Sequence, residues 1–243
     1  MTADSTTTHG GARPQATRMQ HAIRVLVILD ACGEVVKAGD PADAVKVIRS
    51  ELRLQALDFW LRNPDYLADE LVTKVEAGKF SESYLDTANH LLDDPEPDLR
   101  WYPMPRWHYG AYEAVDDAFS ILDAYGLALL RRKGGVVKAA RGQFFLTTKG
   151  KAAVADLAEE PRLSWYTEQV KLVALVAGTD LGSALKKRQY KQAEYAKTEL
   201  GVNIAPIASG VRERLEKLRA ANDHYSKDQG APDAANHTDG SES

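Results

Sequence analysis

The sequence predicts a mainly α-helical chain with one small β-hairpin. Three observations carry this. Apolar residues recur at helical spacing through most of the chain, and Gly and Pro divide those stretches. One stretch, from Tyr109 to Ala158, runs helix, strand, glycine-rich basic loop, strand, helix. Within it, Ala114, Val115, Ala118, Phe119, Leu122 and Tyr125 fall on one helical face, and Gly126 stands where a helix ends in the left-handed conformation. Leu127 to Arg132 is a short apolar run that turns basic, and Gln143 to Thr147 reads as a second strand. Thr147 or Thr148 then caps a helix through Leu157. This order is that of a winged helix-turn-helix domain, with Lys133 to Gly142 as the wing.

The remaining elements come in chain order. Arg18 to Ala31 reads as a helix, although the nearly continuous apolar run Ile23 to Leu29 also fits a buried strand. Gly39-Asp40-Pro41 is turn chemistry, and Asp40 with Pro41 opens a second predicted helix over Ala42 to Arg49. An apolar stripe then runs through Leu52, Leu54, Leu57, Phe59, Trp60 and Leu61 until Asn63-Pro64 interrupts it. A helix restarts at Pro64 with acids in its first turns and ends at Gly78. Ser81 caps another helix through Asp94. After the wing, Pro161 marks a boundary. Ser164 caps a helix through Ala177, Thr179 or Asp180 caps one over Leu181 to Leu200, and Ser209 caps a last amphipathic helix. The expected organisation is residues 1–17 disordered, 18–160 the winged-helix domain with its N-terminal helices, 161–222 a C-terminal helical unit, and 223–243 a disordered tail.

At 243 residues the chain is long enough for one substantial core and a smaller helical unit. The lone cysteine, Cys32, excludes an intramolecular disulfide, fits a reducing cytosol, and reads as a small core or helix-end residue. No apolar run approaches the roughly 20 residues that span a bilayer, and the start lacks a signal core, so a soluble cytoplasmic protein is expected. No nucleotide-binding loop, zinc-ligand spacing or nucleophile elbow occurs. Asp116 and Asp117 are sequence neighbours and point about 100° apart on a helix, so they share no substrate. A non-enzymatic role without cofactor or metal is the expectation.

Charge is distributed unevenly. Residues 127–151 hold seven cations and no acid, whereas residues 1–126 hold 12 basic and 21 acidic residues. A hairpin of that kind attracts phosphates and supplies affinity without reading sequence. Arg131, Arg132, Lys133, Lys138, Arg141 and Lys149 are therefore candidate DNA-backbone contacts, and Lys186, Lys187 and Arg188 extend that surface; the alternatives are a loop that is solvated or binds an acidic partner, and a solvated helix face. The acidic run Asp93 to Asp98 reads as a solvated loop. The aromatic stretch after it supplies Trp101, Tyr102, Met104, Trp107 and Tyr109 as candidate partner-binding residues, with coverage of the core as the equal alternative. His108 reads as a packed or capping histidine.

Two stretches carry a resemblance. Leu52-Arg53-Leu54-Gln55-Ala56-Leu57-Asp58-Phe59-Trp60-Leu61-Arg62-Asn63-Pro64-Asp65-Tyr66-Leu67 resembles the helix pair of small winged-helix proteins that form the middle component of three-gene bacterial conflict (defence) systems. The hairpin 127–150, followed by Trp165 to Val176 and Gly201-Val202-Asn203-Ile204, has a similar order. The resemblance implies a non-catalytic adaptor that links an ABC or SMC-like ATPase to an effector and touches double-stranded DNA. The reading from another class is a stand-alone winged-helix transcriptional regulator on operator DNA. Against it, Glu113, Asp116, Asp117 and Asp123 make the helix 111–125 acidic, a poor surface for a major groove.

Overall fold

The computed structural model describes residues 18–93, 104–132 and 142–229. It is mainly helical, with a small antiparallel sheet. Helix α1 (Arg18–Cys32) is its axis. His21, Ala22 and the whole run Arg24 to Leu29 are buried, so every face of this helix is covered. That explains the continuous apolar run without a strand: a helix hydrophobic all round belongs at the centre of a core.

The predicted second helix over Ala42 to Arg49 is instead a strand. After a short β1 (Glu34–Val35) the chain turns and returns as β2 (Ala44–Ile48). Val45, Val47 and Ile48 are β-branched and suit a half-buried sheet better than a helix. Arg49 fixes the turn, donating to both carboxylate oxygens of Asp40 at 3.1 and 2.6 Å, while Asp40 accepts from the Lys37 amide. The Arg49 hydrogen bond is the chief reason that the Asp40 carboxyl sits at about 2.

Helix α2 (Glu51–Arg62) starts at Ser50, whose hydroxyl accepts from the Arg53 amide. Asn63 breaks it with a non-helical backbone, and Pro64 opens α3 (Pro64–Glu76) as the residue pair predicts. α4 (Tyr84–Asp93) begins three residues after the expected cap Ser81, which bonds Ser83 instead. Next comes a two-strand ribbon that the sequence did not suggest, β3 (Arg106–Trp107) and β4 (Gly110–Ala111). α5 (Asp116–Ala124) is shorter than expected and ends at Gly126, which has a φ of 67°. β5 (Ala128–Arg132) and β6 (Gly142–Thr147) form the predicted hairpin, and Thr147 caps α6 (Thr148–Glu159) by accepting from the Gly150 amide at 2.9 Å. The hairpin is not isolated. β6 also pairs with β2, giving a four-stranded antiparallel sheet in the order β1-β2-β6-β5.

Beyond α7 (Ser164–Ala177), the helix predicted over 181–200 is two shorter ones, α8 (Gly182–Gln189) and α9 (Ala193–Lys197). Long-range bonds account for the break. Buried Gln189 donates to the Ala56 carbonyl at 2.8 Å, and the buried Tyr195 hydroxyl accepts from the Ala111 amide at 2.7 Å. At Gly182 a Cβ would stand 2.5 Å from the Arg53 amide nitrogen, so only glycine lets α8 approach α2 this closely. α10 (Ala208–Gln229) runs past residue 223, where a disordered tail was expected to begin. Tyr166, Val173, Leu185, Tyr195, Val211 and Leu215 belong to the same core as α1 and α2, so no gap in packing falls at Pro161.

The core contains charge. Arg24 on α1 donates through Nε to Asp58 of α2 at 3.1 Å, and Arg62 Nη1 reaches the other Asp58 oxygen at 3.4 Å and also pairs with Glu113. His21 lies between the two acids, 3.9 Å from Asp58 and 3.5 Å from Glu113. Burial alone raises the Asp58 carboxyl, but the charges of Arg24 and Arg62 outweigh it and hold Asp58 below the usual range. Burial lowers His21, an effect that Asp58 and Glu113 partly offset.

Asp58→Ala removes the carboxylate that both arginines share. It is expected to lower the unfolding free energy by about 3–5 kcal/mol in chemical denaturation; a loss under about 1 kcal/mol would remove the cluster as a structural anchor.

His21 gives a pH dependence with a definite sign. Its folded value is lowered, so below an unfolded value of about 6.5 the unfolded chain binds a proton that the folded chain refuses. This contribution to stability is complete above that pH and is lost as the pH falls. Asp65 and Asp69, raised by burial, act in the opposite sense in more acidic solution. The difference between the parent chain and His21→Asn in urea midpoint isolates the histidine: the variant's midpoint should decline less from pH 7 to pH 5. Parallel profiles would contradict it.

Candidate partner and nucleic-acid interface

The root of the basic hairpin is built by β5, whose Ala128 and Leu130 pack with the main core and Leu129 with Ala44, Val47 and Phe145 on the other face, while Arg131 and Arg132 run out exposed beyond them. The Arg131 guanidinium lies 5.8 Å from the Phe145 ring centre and donates to the Gly39 carbonyl at 3.5 Å. Arg132 pairs with Asp116 at the start of α5. Lys149 is exposed on the first turn of α6. Lys133, Lys138 and Arg141 lie outside the described residues. One root cation is thus neutralised by the body's own carboxylate, while Arg131 and Lys149 carry no ion pair among the described residues.

The acids expected to repel DNA from the helix 111–125 are largely engaged. Glu113 precedes α5 and pairs with Arg62, Asp116 pairs with Arg132, and Asp117 meets Arg18 at 3.0 Å. α5 itself contains no basic residue.

The second candidate surface is the β3–β4 ribbon. Trp107 is 45% exposed and Tyr109 78% exposed, whereas Met104 is fully buried at 0%. The expectation that Met104 faces a partner is corrected by its place in the core cluster, where its backbone carbonyl also accepts from the Ile204 amide at 3.0 Å. Trp101 and Tyr102 lie outside the described residues. His108 is neither packed inside nor a cap: it is exposed at the turn, and its ring is nearly parallel to that of Trp107.

The structure joins two sets that the sequence reading kept apart. Lys186 of α8 places its ammonium 5.2 Å from both the Tyr109 and Tyr190 ring centres and donates to the His108 carbonyl at 3.3 Å. Such a contact holds the ribbon and α8 together as one surface. Lys187 is exposed nearby on α8. Arg188 is not available to a phosphate. It donates to Glu70 at 2.6 and 3.1 Å, to Asp180 and the Val176 carbonyl at 3.0 Å, and stacks over Trp60. α8 packs chiefly on α2, while the basic hairpin packs on β2 and α5, so the two cationic sets do not form one continuous patch through these contacts.

Sequence reasoning missed the other edge of the ribbon. The Arg106 amide donates to the Val202 carbonyl at 2.9 Å and the Gly201 amide to the Arg106 carbonyl at 2.7 Å, laying residues 201–203 along β3. Leu200 and Val202 are exposed there, so the ribbon ends in four exposed large apolar side chains.

Among the described residues, His21, Asp58 and Glu113 have ligand atoms within 4.8 Å of one another, a spacing open to a metal ion. Arg24 and Arg62 already supply the positive charge there, and a divalent cation would be repelled by both. The chemistry of the cluster does not fit a metal. Cys32 offers no reactive thiolate, because burial pushes its thiol up to about 12.

Comparison with protein-family models, with curated proteins and with solved structures finds no match to this chain.

The ribbon and the core respond differently to truncation. Trp107→Ala and Tyr109→Ala should change the thermal midpoint little, whereas Met104→Ala should cost about 2–5 kcal/mol by leaving a cavity. A large loss of stability in Trp107→Ala would assign that ring a structural role.

Proposed function

We propose that this chain is a non-catalytic winged-helix adaptor that touches the DNA backbone through its basic hairpin and docks a partner on the aromatic ribbon. The observation that carries the reading is the placement of the hairpin. α1, β2, α5, β5 and β6 follow the order of a winged helix, with α2, α3, α4 and the β3–β4 ribbon between β2 and α5 and with β6 between β2 and β5 in the sheet. The strand that leads into the basic segment therefore projects Arg131 and Arg132 from the edge of a buried sheet. A wing so placed meets phosphates without any requirement for base contacts. α5, in the position of a recognition helix, offers no cation to base edges, which favours backbone contact over operator reading.

The partner in this reading is an ABC or SMC-like ATPase, with an effector beyond it, as the resemblance of the α2–α3 pair implies. The exposed Trp107, Tyr109, Leu200 and Val202 support a protein partner, because exposed aromatic and aliphatic groups clustered together are a costly surface to leave in water.

The test is the salt dependence of duplex binding. Arg131, Arg132, Lys133, Lys138 and Arg141 changed together to Ala should weaken binding by at least about tenfold. The dependence on salt concentration should also flatten, by roughly 0.9 of slope for each phosphate no longer neutralised. Unchanged affinity and slope would discard the hairpin as a DNA contact.

A further inference from the structure

An open groove of about 630 Å³ runs between α6 and α7 over the C-terminal end of α1. Its lining is mostly apolar and unusually small: Ala31, Ala155, Ala158 and Ala174 are among its walls, with Leu175 exposed at its edge. Small side chains on both walls let the backbone of a further helix come close. The polar groups of the lining are mainly cationic. Lys46, Lys151 and Lys171 stand against the single carboxylate of Asp30. Lys46 is held by Asp30 and Lys171 by Glu168, whereas Lys151 has no ion pair among the described residues.

We propose that this groove docks an amphipathic helix from a partner protein, one whose apolar stripe is flanked by aspartates or glutamates. This goes beyond the adaptor reading and does not depend on it, since neither the basic hairpin nor the aromatic ribbon lines the groove. Charge selects the occupant. A second copy of the chain would set lysine against lysine across the same face, and a nucleic acid would gain nothing from an alanine floor. An acidic helix satisfies both features: its apolar stripe covers the alanines, and its flanking carboxylates meet Lys151 on one wall and share Lys171 with Glu168 on the other.

The experiment uses the full chain and two labelled helical peptides of about five turns. Both carry Leu and Ala at helical spacing on one face; one has Glu on its flanks and the other has Lys. At low ionic strength, fluorescence anisotropy should show the Glu peptide binding at least about tenfold more tightly than the Lys peptide. The exposed double change Lys151→Glu with Lys171→Glu should reverse that order, and Leu175→Glu should weaken the Glu peptide by a similar factor. Both variants alter surface positions, and their circular dichroism should match the parent. Equal binding of the two peptides, binding of neither, or indifference to the variants overturns the proposal. Self-association that Leu175→Glu abolishes would assign the groove to a second copy. Tighter peptide binding after removal of residues 230–243 would assign it to the chain's own end. Either result also overturns it. Failure here leaves the duplex-binding test of the hairpin unaffected.

Discussion

The fold depends on how α1 and α2 bury charge against each other. Two ionised groups taken from water incur a desolvation cost that their attraction repays only with good geometry. Here Asp58 receives Arg24 on one oxygen and Arg62 on the other, and Glu113 takes the remaining reach of Arg62. The Arg24–Asp58 pair crosses from α1 to α2 and ties their register, while Arg62, one turn along α2 from Asp58, holds that carboxylate in place. The register so fixed reaches both candidate surfaces. Gln55, earlier on α2, exchanges two hydrogen bonds with the backbone of Glu113, at 2.6 and 3.0 Å, and so pins the segment that leads from the ribbon into α5. The Ala56 carbonyl accepts from Gln189 and anchors α8, and Arg53 donates to the Gly178 carbonyl at 2.9 Å. One helix thus positions the ribbon, the lysine helix behind it, and the entry to the basic hairpin.

Part of the charge asymmetry of the sequence is resolved inside the molecule. The basic residues of α10 serve the acids of the first half: Arg212 meets Asp93, Arg214 bridges Asp69 and Glu76, and Arg219 meets Asp86. Arg188 does the same with Glu70. Most of these pairs are partly exposed and each is worth little to stability. Their larger effect is on what remains. The arginines of α10 thus act as clamps between that helix and the helices α3 and α4. Among the described residues, the cations without an ion pair include Arg131 and Lys149 beside the sheet, Lys187 on α8 and Lys151 in the groove.

Much of the helical order was legible because it is local. Asn63-Pro64, Gly126 and Thr147 each impose a boundary through their own backbone or side-chain chemistry, and each boundary is present. The β5–β6 hairpin was legible for the same reason. What failed was non-local. Ala44 to Ile48 is a strand because β6 lies beside it, a fact that no property of Asp40-Pro41 records. The helix expected over 181–200 breaks where Gln189 and Tyr195 bond Ala56 and Ala111, residues far away in the chain. At the candidate sites the reading located the aromatic and cationic stretches but could not sort them. Met104 and Trp107 are three residues apart and look equally suited to an interface; only the packing of the ribbon sends one into the core and the other outward. Arg188 and Lys187 are neighbours, and only the position of Glu70 decides which of them faces water.

This sorting bears on how the two proposed surfaces would act together. The ribbon and the basic hairpin are not joined by a linker; both are fastened to α2 and share one core with α1. A partner on one and a duplex on the other would be held at a fixed separation and orientation, so joint engagement gains or loses affinity by geometry alone, without the tolerance that a flexible tether allows. For the ribbon and the described strands β5 and β6 this favours joint binding when the spacing suits and forbids it when it does not. The buried Arg24–Asp58–Arg62 cluster therefore bears on more than stability: it helps set the distance between the ribbon and the root of the hairpin.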